Sequence, residues 1–399
     1  MIKFKRDGEM KSQIQPSKIL FLCFFAYAVT YIGRLNLSAA SVMFEEENIL
    51  NKQEIGMLGS VFFFIYAIGR IINGRLGDQV PPKIFLIAGL LLSATCNILM
   101  SLLPTVEWMY LIWGLNGLFQ SMLWGAVLRN VSLAYSEAKS AKRAAIILSI
   151  SVGVGTLLGT VFPILLTQAG LRQVFWIPGG ILLVTALLIW LFLPNSDYQR
   201  PEKKKYTYSC LRNKTLLSML IPAAVHGAIK ENITLWAPLL FMEMYHLDLQ
   251  NAQFYIYLMP AAILAGRLIF PIWYKWCRYS EKWTLLSSFF LCSISLIPFF
   301  LFNLPVWLSG CLLSVVSIMM SIVNGELMSV YPINFQSTNE VSTVSGILDC
   351  ATYIGSALGS AFFGYVISQA GYHGMIGVWI VLSVLSFILM LGIKRKHVV

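Results

Sequence analysis

Runs of 18 or more mainly apolar residues recur along the whole chain, and no other feature constrains its fold as strongly. A helix of about 20 apolar residues crosses the hydrocarbon core of a bilayer. Within lipid the backbone must satisfy its own hydrogen bonds, which helices do within one segment. Composition agrees. Only 12% of the 399 residues are charged and 57% are hydrophobic, with a mean hydropathy of +0.72. A soluble domain usually carries about 25% charged residues. The expected fold class is an all-α polytopic membrane protein, held in a lipid bilayer. Twelve spans are expected, near 18–43, 54–76, 83–103, 107–134, 142–168, 172–194, 214–245, 250–275, 283–302, 305–331, 340–369 and 374–393.

The net charge is +11, but the lysines and arginines sit in short connections between spans. That placement sets topology and contacts anionic headgroups rather than nucleic acid. KFKRDGEMK, GDQVPPK, SEAKSAKR, YQRPEKKKYTYSCLRNK, YKWCRYSEK and KRKHVV fall on one side; FEEENILNKQE, LPTVE, QAGLRQ, YHLDLQN, FNLP and SQAGYHG fall on the other. The first set is the richer in Lys and Arg, which predicts cytoplasmic termini. MIKFKRDGEMKSQIQPSK is polar for too long to be a cleaved leader, so the first span is expected to be retained. The seven cysteines are scattered, with no zinc or disulfide pattern. The longest cytoplasmic segment, 195–213, divides a six-helix bundle at 1–194 from another at 214–399.

The halves show weak self-similarity. GTLLGT at 155–160 matches GSALGS at 355–360, and Gly74-Arg75-Leu76 matches Gly266-Arg267-Leu268. Arg34 lies sixteen residues after Lys18, and Lys230 sixteen after Lys214. Both cations are therefore expected roughly 24 Å along the first helix of their half. Such matches, in chain order, predict parallel repeats with a binding site between them. Gly153, Gly155, Gly159, Gly355 and Gly359 suit close helix packing.

An ionised side chain at mid-bilayer costs about 2.5–3.5 kcal/mol on insertion scales, so it faces a partner or a water-filled cavity. The intramembrane set is Arg34, Arg70, Lys230, Glu231, Glu326, Asp349 and His226. Arg34 and Lys230 either capture an anion or pair with Glu326 or Asp349. Glu326 and Asp349 are the best candidates for carrying a proton, and a static ion pair is the alternative. His226 is either a relay or an interior hydrogen-bonding residue. Arg75, Arg129 and Arg267 are expected near cytoplasmic ends, at a gate or headgroups. Tyr31, Asn36, Tyr66, Gln120, Trp124, Asn232 and Trp236 are candidates for binding substrate, while Asn73, Asn116, Asn324 and Tyr353 either line a cavity or tie helices together.

GRLGDQVPPK, 74–83, resembles the loop signature of the major facilitator superfamily at Gly74, Leu76, Asp78 and Lys83. Together with Arg75 these form a predicted gating loop. YIGRLNLSAA, AIGRIINGRLGD and NGLFQSMLWGAVLRN look more closely like the organophosphate:phosphate antiporters. That resemblance implies that cations on the first and seventh helices, here Arg34 and Lys230, hold a phosphoryl group. It adds a third cation at Arg70 and turns the Gln120–Trp124 face toward the cavity. Lys230 and Glu231 stand where the family pattern carries an arginine without a neighbouring acid.

The expected function is secondary transport of a small organic anion, a phosphorylated metabolite exchanged for phosphate, by a monomer in the cell membrane. Proton-coupled symport or efflux of a carboxylate or another organic solute is the alternative, and a transporter-like ligand sensor is a third. No cofactor, metal, nucleic acid or catalytic activity is expected.

Overall fold

The computed structural model describes residues 15–50, 52–195, 209–247 and 249–392. Much of the predicted linker, 196–208, and both basic termini lie outside them. The first half contains α1 (Pro16–Thr30), α2 (Ile32–Glu46), α3 (Lys52–Gln79), α4 (Pro82–Ser101), α5 (Val106–Ala134), α6 (Ala138–Thr167) and α7 (Leu171–Phe192). The second contains α8 (Lys214–Leu239), α9 (Leu249–Trp276), α10 (Glu281–Leu301), α11 (Val306–Gly325) and α12 (Val341–Gly392). Glu326–Val330 is a π-helical turn and Tyr331–Phe335 a 3-10 turn.

Local chemistry sets several helix ends. Pro16 and Pro82 sit in the first turns of α1 and α4, where a missing N–H costs nothing. Asn213 caps α8, its side chain accepting from the Thr215 and Leu216 amides at 2.9 and 3.3 Å. Gly371 interrupts α12 at φ 65°, a left-handed value that favours glycine. The chain folds back there. The Phe363 and Trp379 rings are 5.9 Å apart, whereas sixteen residues of straight helix would separate them by roughly 24 Å.

Eleven described segments are long and apolar enough to cross a membrane. The twelve-span expectation is therefore met except at α8, which has the length but carries His226, Lys230, Glu231 and Asn232. The outer surface displays large apolar side chains such as Phe64, Trp190, Trp276 and Leu358. Water would penalise such a surface, and lipid tails solvate it.

Each half buries its own apolar core. One core runs from Cys210 to Met390, and two others draw chiefly on residues between Ile19 and Leu193. Glycines set the helix spacing. A Cβ on Gly355 would stand 2.0 Å from the Ala224 carbonyl oxygen, and one on Gly346 2.3 Å from that of Arg70. The second contact presses α12 against α3 across the two halves. Gly346→Ala must push these backbones apart, at about 1–3 kcal/mol. Its thermal midpoint in detergent is expected to fall by several degrees, whereas Gly59→Ala, with nothing within 4 Å, is the neutral control. A drop no larger than the control's would contradict this packing.

Candidate functional site: a charged cavity between the halves

Arg34 lies within the first span, which runs continuously from Pro16 to Ser41. Tyr31, the residue between α1 and α2, stands three residues before Arg34. Two glycines of α6 make room for it. Cβ atoms on Gly155 and Gly159 would approach the Tyr31 ring and carbonyl oxygen to 2.6 and 2.5 Å. The Arg34 guanidinium then donates to the Tyr353 hydroxyl at 2.6 Å and the Tyr66 hydroxyl at 3.4 Å. It also lies 4.4 Å from the centroid of the Tyr66 ring, a favourable cation–π position.

The α3–α12 contact supplies the opposite wall. Tyr66 and Arg70 are four residues apart on α3, as are Asp349 and Tyr353 on α12. Such pairs share a helix face. The two helices run antiparallel, so Tyr66 meets Tyr353 with centroids 5.1 Å apart and Arg70 forms an ion pair with Asp349. Arg70 also donates to the Ser121 carbonyl at 3.1 Å. On α8, Lys230 pairs with its neighbour Glu231.

These groups line one open-sided cavity. Tyr31 and Trp124 line it too, and the Trp124 indole donates to the Met328 carbonyl at 3.0 Å, joining the halves. Three cations and two carboxylates face this space. Arg70 and Lys230 each have an acid. Among the described residues Arg34 has none, only tyrosine hydroxyls and rings. The cavity therefore holds one uncompensated positive charge, and an anion is the ligand that would balance it.

Several expected residues lie elsewhere. Asn36 is fully buried and donates to Asn97 Oδ1 at 2.8 Å and the Val174 carbonyl at 3.0 Å. Gln120 bonds Ser93 Oγ at 2.8 Å and the Thr30 carbonyl at 3.3 Å, while Asn232 bonds the carbonyls of Ala228 at 2.8 Å and Ser356 at 3.3 Å. All three tie helices together. Trp236 packs near Gly364, outside the cavity lining. His226 is buried, and neither ring nitrogen has a hydrogen-bond partner among the described residues. Glu326 pairs with neither Arg34 nor Lys230; it is fully buried and its oxygens have no hydrogen-bond partner among the described residues. Asp349 serves Arg70 instead. Arg267 is no headgroup residue: it is 1% exposed and donates to Asn324 Oδ1. Tyr27, Val152, Met328 and Thr352 line the cavity unforeseen. Tyr27 lies one turn before Tyr31, and that spacing is the signal that could have found it.

Asp78 of the loop expected to gate lies eight residues beyond Arg70 on α3 and holds the start of α12. Buried Asp78 accepts from the Ser342 amide at 3.1 Å, the Thr343 amide at 2.7 Å and the Thr343 hydroxyl at 2.6 Å. These groups open α12, where a carboxylate also meets the positive end of the helix dipole. Arg129 donates to Asp78 at 2.5 Å and to the Asn339 carbonyl at 3.3 Å. Gln336 bonds the Ser132 and Tyr135 carbonyls, and Lys142 pairs with Glu281 at 2.5 Å. Apart from the Arg129–Asp78 pair, which lies within the first half, all of these cross between the halves. Gly74 packs on Ser342 and Gly346; Arg75 and Lys83 are half-buried beside the loop.

A model of the Major Facilitator Superfamily matches residues 23–339. The chain is 28% identical over 173 residues to a Chlamydia muridarum protein named "Probable hexose phosphate transport protein", a match covering 43% of this chain and 38% of that one. It is 22% identical over 430 residues to the phosphoglycerate transporter protein of Salmonella typhimurium, covering 94% and 90%. The membrane sensor protein UhpC of Salmonella typhimurium is 26% identical over 120 residues, covering 30% and 27%. Among solved structures, the transporter FucP in an outward conformation superposes with a TM-score of 0.76 at 16% identity, over 97% of this chain and 100% of that one. With its fold shared end to end and most of its length matched by the family model, the chain belongs to the Major Facilitator Superfamily and is a multi-pass membrane transporter rather than an enzyme.

Proposed function

We propose that the protein is a secondary active transporter that exchanges a small phosphorylated metabolite for inorganic phosphate by alternating access. The observation that carries this reading is Arg34, a cavity cation without a carboxylate partner among the described residues. A guanidinium binds a phosphoryl group through two parallel hydrogen bonds. Lys230, on the far half, would take a second phosphoryl oxygen in competition with Glu231. The substrate then bridges bodies 1–194 and 214–399 and draws them together on the open side. Relatives named for phosphoglycerate and hexose phosphate support that substrate class.

The end tied by Asp78, Arg129 and Gln336 carries the richer share of loop Lys and Arg, so we place it, with both termini, in the cytoplasm of a cell-membrane monomer. The cavity then opens outward. Thermal-shift titration tests the ligand class. Inorganic phosphate and glycerol 3-phosphate are expected to stabilise the protein, and glycerol is not. Equal stabilisation by glycerol would overturn the reading.

A second reading rests on the two acids already facing cavity cations. Asp349 and Glu231 neutralise Arg70 and Lys230 without substrate, which would let an empty carrier close and favours proton-coupled symport. Asp349→Asn and Glu231→Gln are then expected to remove the dependence of uptake on a pH gradient; unchanged dependence would eliminate this reading. Ligand binding without uptake would favour a sensor.

A further inference from the structure

The halves repeat each other in a register that short motifs obscure. Arg70 is the nineteenth residue of the 28-residue α3, and Arg267 the nineteenth of the 28-residue α9. Their preceding glycines make matching contacts. A Cβ on Gly69 would meet Ser121 Oγ at 2.4 Å, and one on Gly266 would meet Ser321 Cβ at 2.7 Å. Gly69-Arg70, not Gly74-Arg75, is therefore the counterpart of Gly266-Arg267. With the offset of 200 that relates Gly155 to Gly355, the counterparts of Asp349 and Tyr353 are Ser149 and Gly153. Gly153, one turn after Ser149, packs on α9 beside Arg267, whose stem lies 3.5 Å from its Cβ position.

The repeat breaks at the charge. Arg70 has Asp349 opposite it, whereas the repeat puts Ser149 at the position equivalent to Asp349, and its hydroxyl is spent on its own helix at the Ile146 carbonyl, 2.7 Å away. Arg267 donates to Asn324 Oδ1, and its Nε and Nη1 have no hydrogen-bond partner among the described residues. Glu326, two residues past Asn324, accepts from neither. Asn324 lines the cavity, so Arg267 sits one hydrogen bond behind the wall. A buried guanidinium with two idle donors is costly unless an anion reaches it.

We propose that Arg267 is a second anion-binding residue, latched by Asn324 in the empty cavity, that selects phosphorylated substrates carrying a further anionic group such as a carboxylate. This rests on the reading of the cavity as an organophosphate site. Arg34 takes the phosphoryl group, and Asn324 swings aside to release Arg267 to the carboxylate. Arg34 and Arg267, which have no acid partner among the described residues, then match the two charged ends of one ligand.

Equilibrium binding of labelled 3-phosphoglycerate and glycerol 3-phosphate to the full-length protein tests it. The wild type is expected to prefer 3-phosphoglycerate by about tenfold or more. Arg267→Gln removes that preference and leaves glycerol 3-phosphate affinity unchanged. Asn324→Asp, which gives Arg267 a carboxylate and keeps the fold's polar contact, removes it too. Equal losses for both ligands, or a preference intact in either variant, would overturn the proposal. If the wild type binds neither ligand, the organophosphate reading itself falls, and the inference with it.

Discussion

Arg34→Gln is expected to weaken binding of a phosphorylated ligand by at least about a hundredfold, with no loss of folding stability. The two hydrogen bonds of a bidentate contact to an ionised partner vanish, together with the charge that the ligand neutralises. The sign of the stability effect separates function from structure. Arg34 has no carboxylate partner among the described residues, so removing its charge orphans no acid. The Tyr66 and Tyr353 hydroxyls it held border an open-sided cavity, where water can replace it. The thermal midpoint should therefore stay level or rise while binding disappears. A variant that still binds within about threefold, or one that unfolds, would show that Arg34 holds helices rather than ligand.

Asp78→Asn should have the second large effect, and on a different quantity. The substitution takes the negative charge from beside buried Arg129 and from the first turn of α12. Breaking a buried pair on one side costs about 3–5 kcal/mol. Asp78 and Arg129 share the first half, so the part of the cost that falls on the tied conformation is the loss of charge-assisted hydrogen bonds from Ser342 and Thr343 of α12, together about 3 kcal/mol or more. A shift of that size moves a two-state equilibrium by more than about a hundredfold. Spin labels at exposed Ser136 and Ser337, on opposite halves, should report a longer distance in the variant. Distances unchanged from wild type would mean that the loop caps a helix without latching the halves.

The charged residues were legible because ionised groups are expensive in a span. Arg34, Arg70, Lys230, Glu231 and Asp349 stood out for that reason, and all five border the cavity. Their partners were not legible. Nothing in chain spacing says that α3 runs antiparallel to α12, which is what joins Arg70 to Asp349 rather than either to Lys230. Asn36, Gln120 and Asn232 misled for the opposite reason. An uncharged amide in lipid is satisfied by a neighbouring carbonyl as readily as by a ligand, and each of the three has found one. The span count suffered from the site itself, because the polar residues of α8 lower its apolar character. The repeat register slipped by five residues because α3 contains Gly-Arg twice, at 69–70 and 74–75, and only packing against Ser121 tells them apart.

Counterflow in proteoliposomes tests the central claim most directly. Vesicles loaded with unlabelled phosphate should accumulate external labelled glycerol 3-phosphate or 3-phosphoglycerate with no imposed pH gradient. Empty vesicles should not, because a carrier whose Arg34 lacks a counter-anion resists closing. Equal uptake into loaded and empty vesicles, or none into either, would contradict phosphate exchange through this cavity.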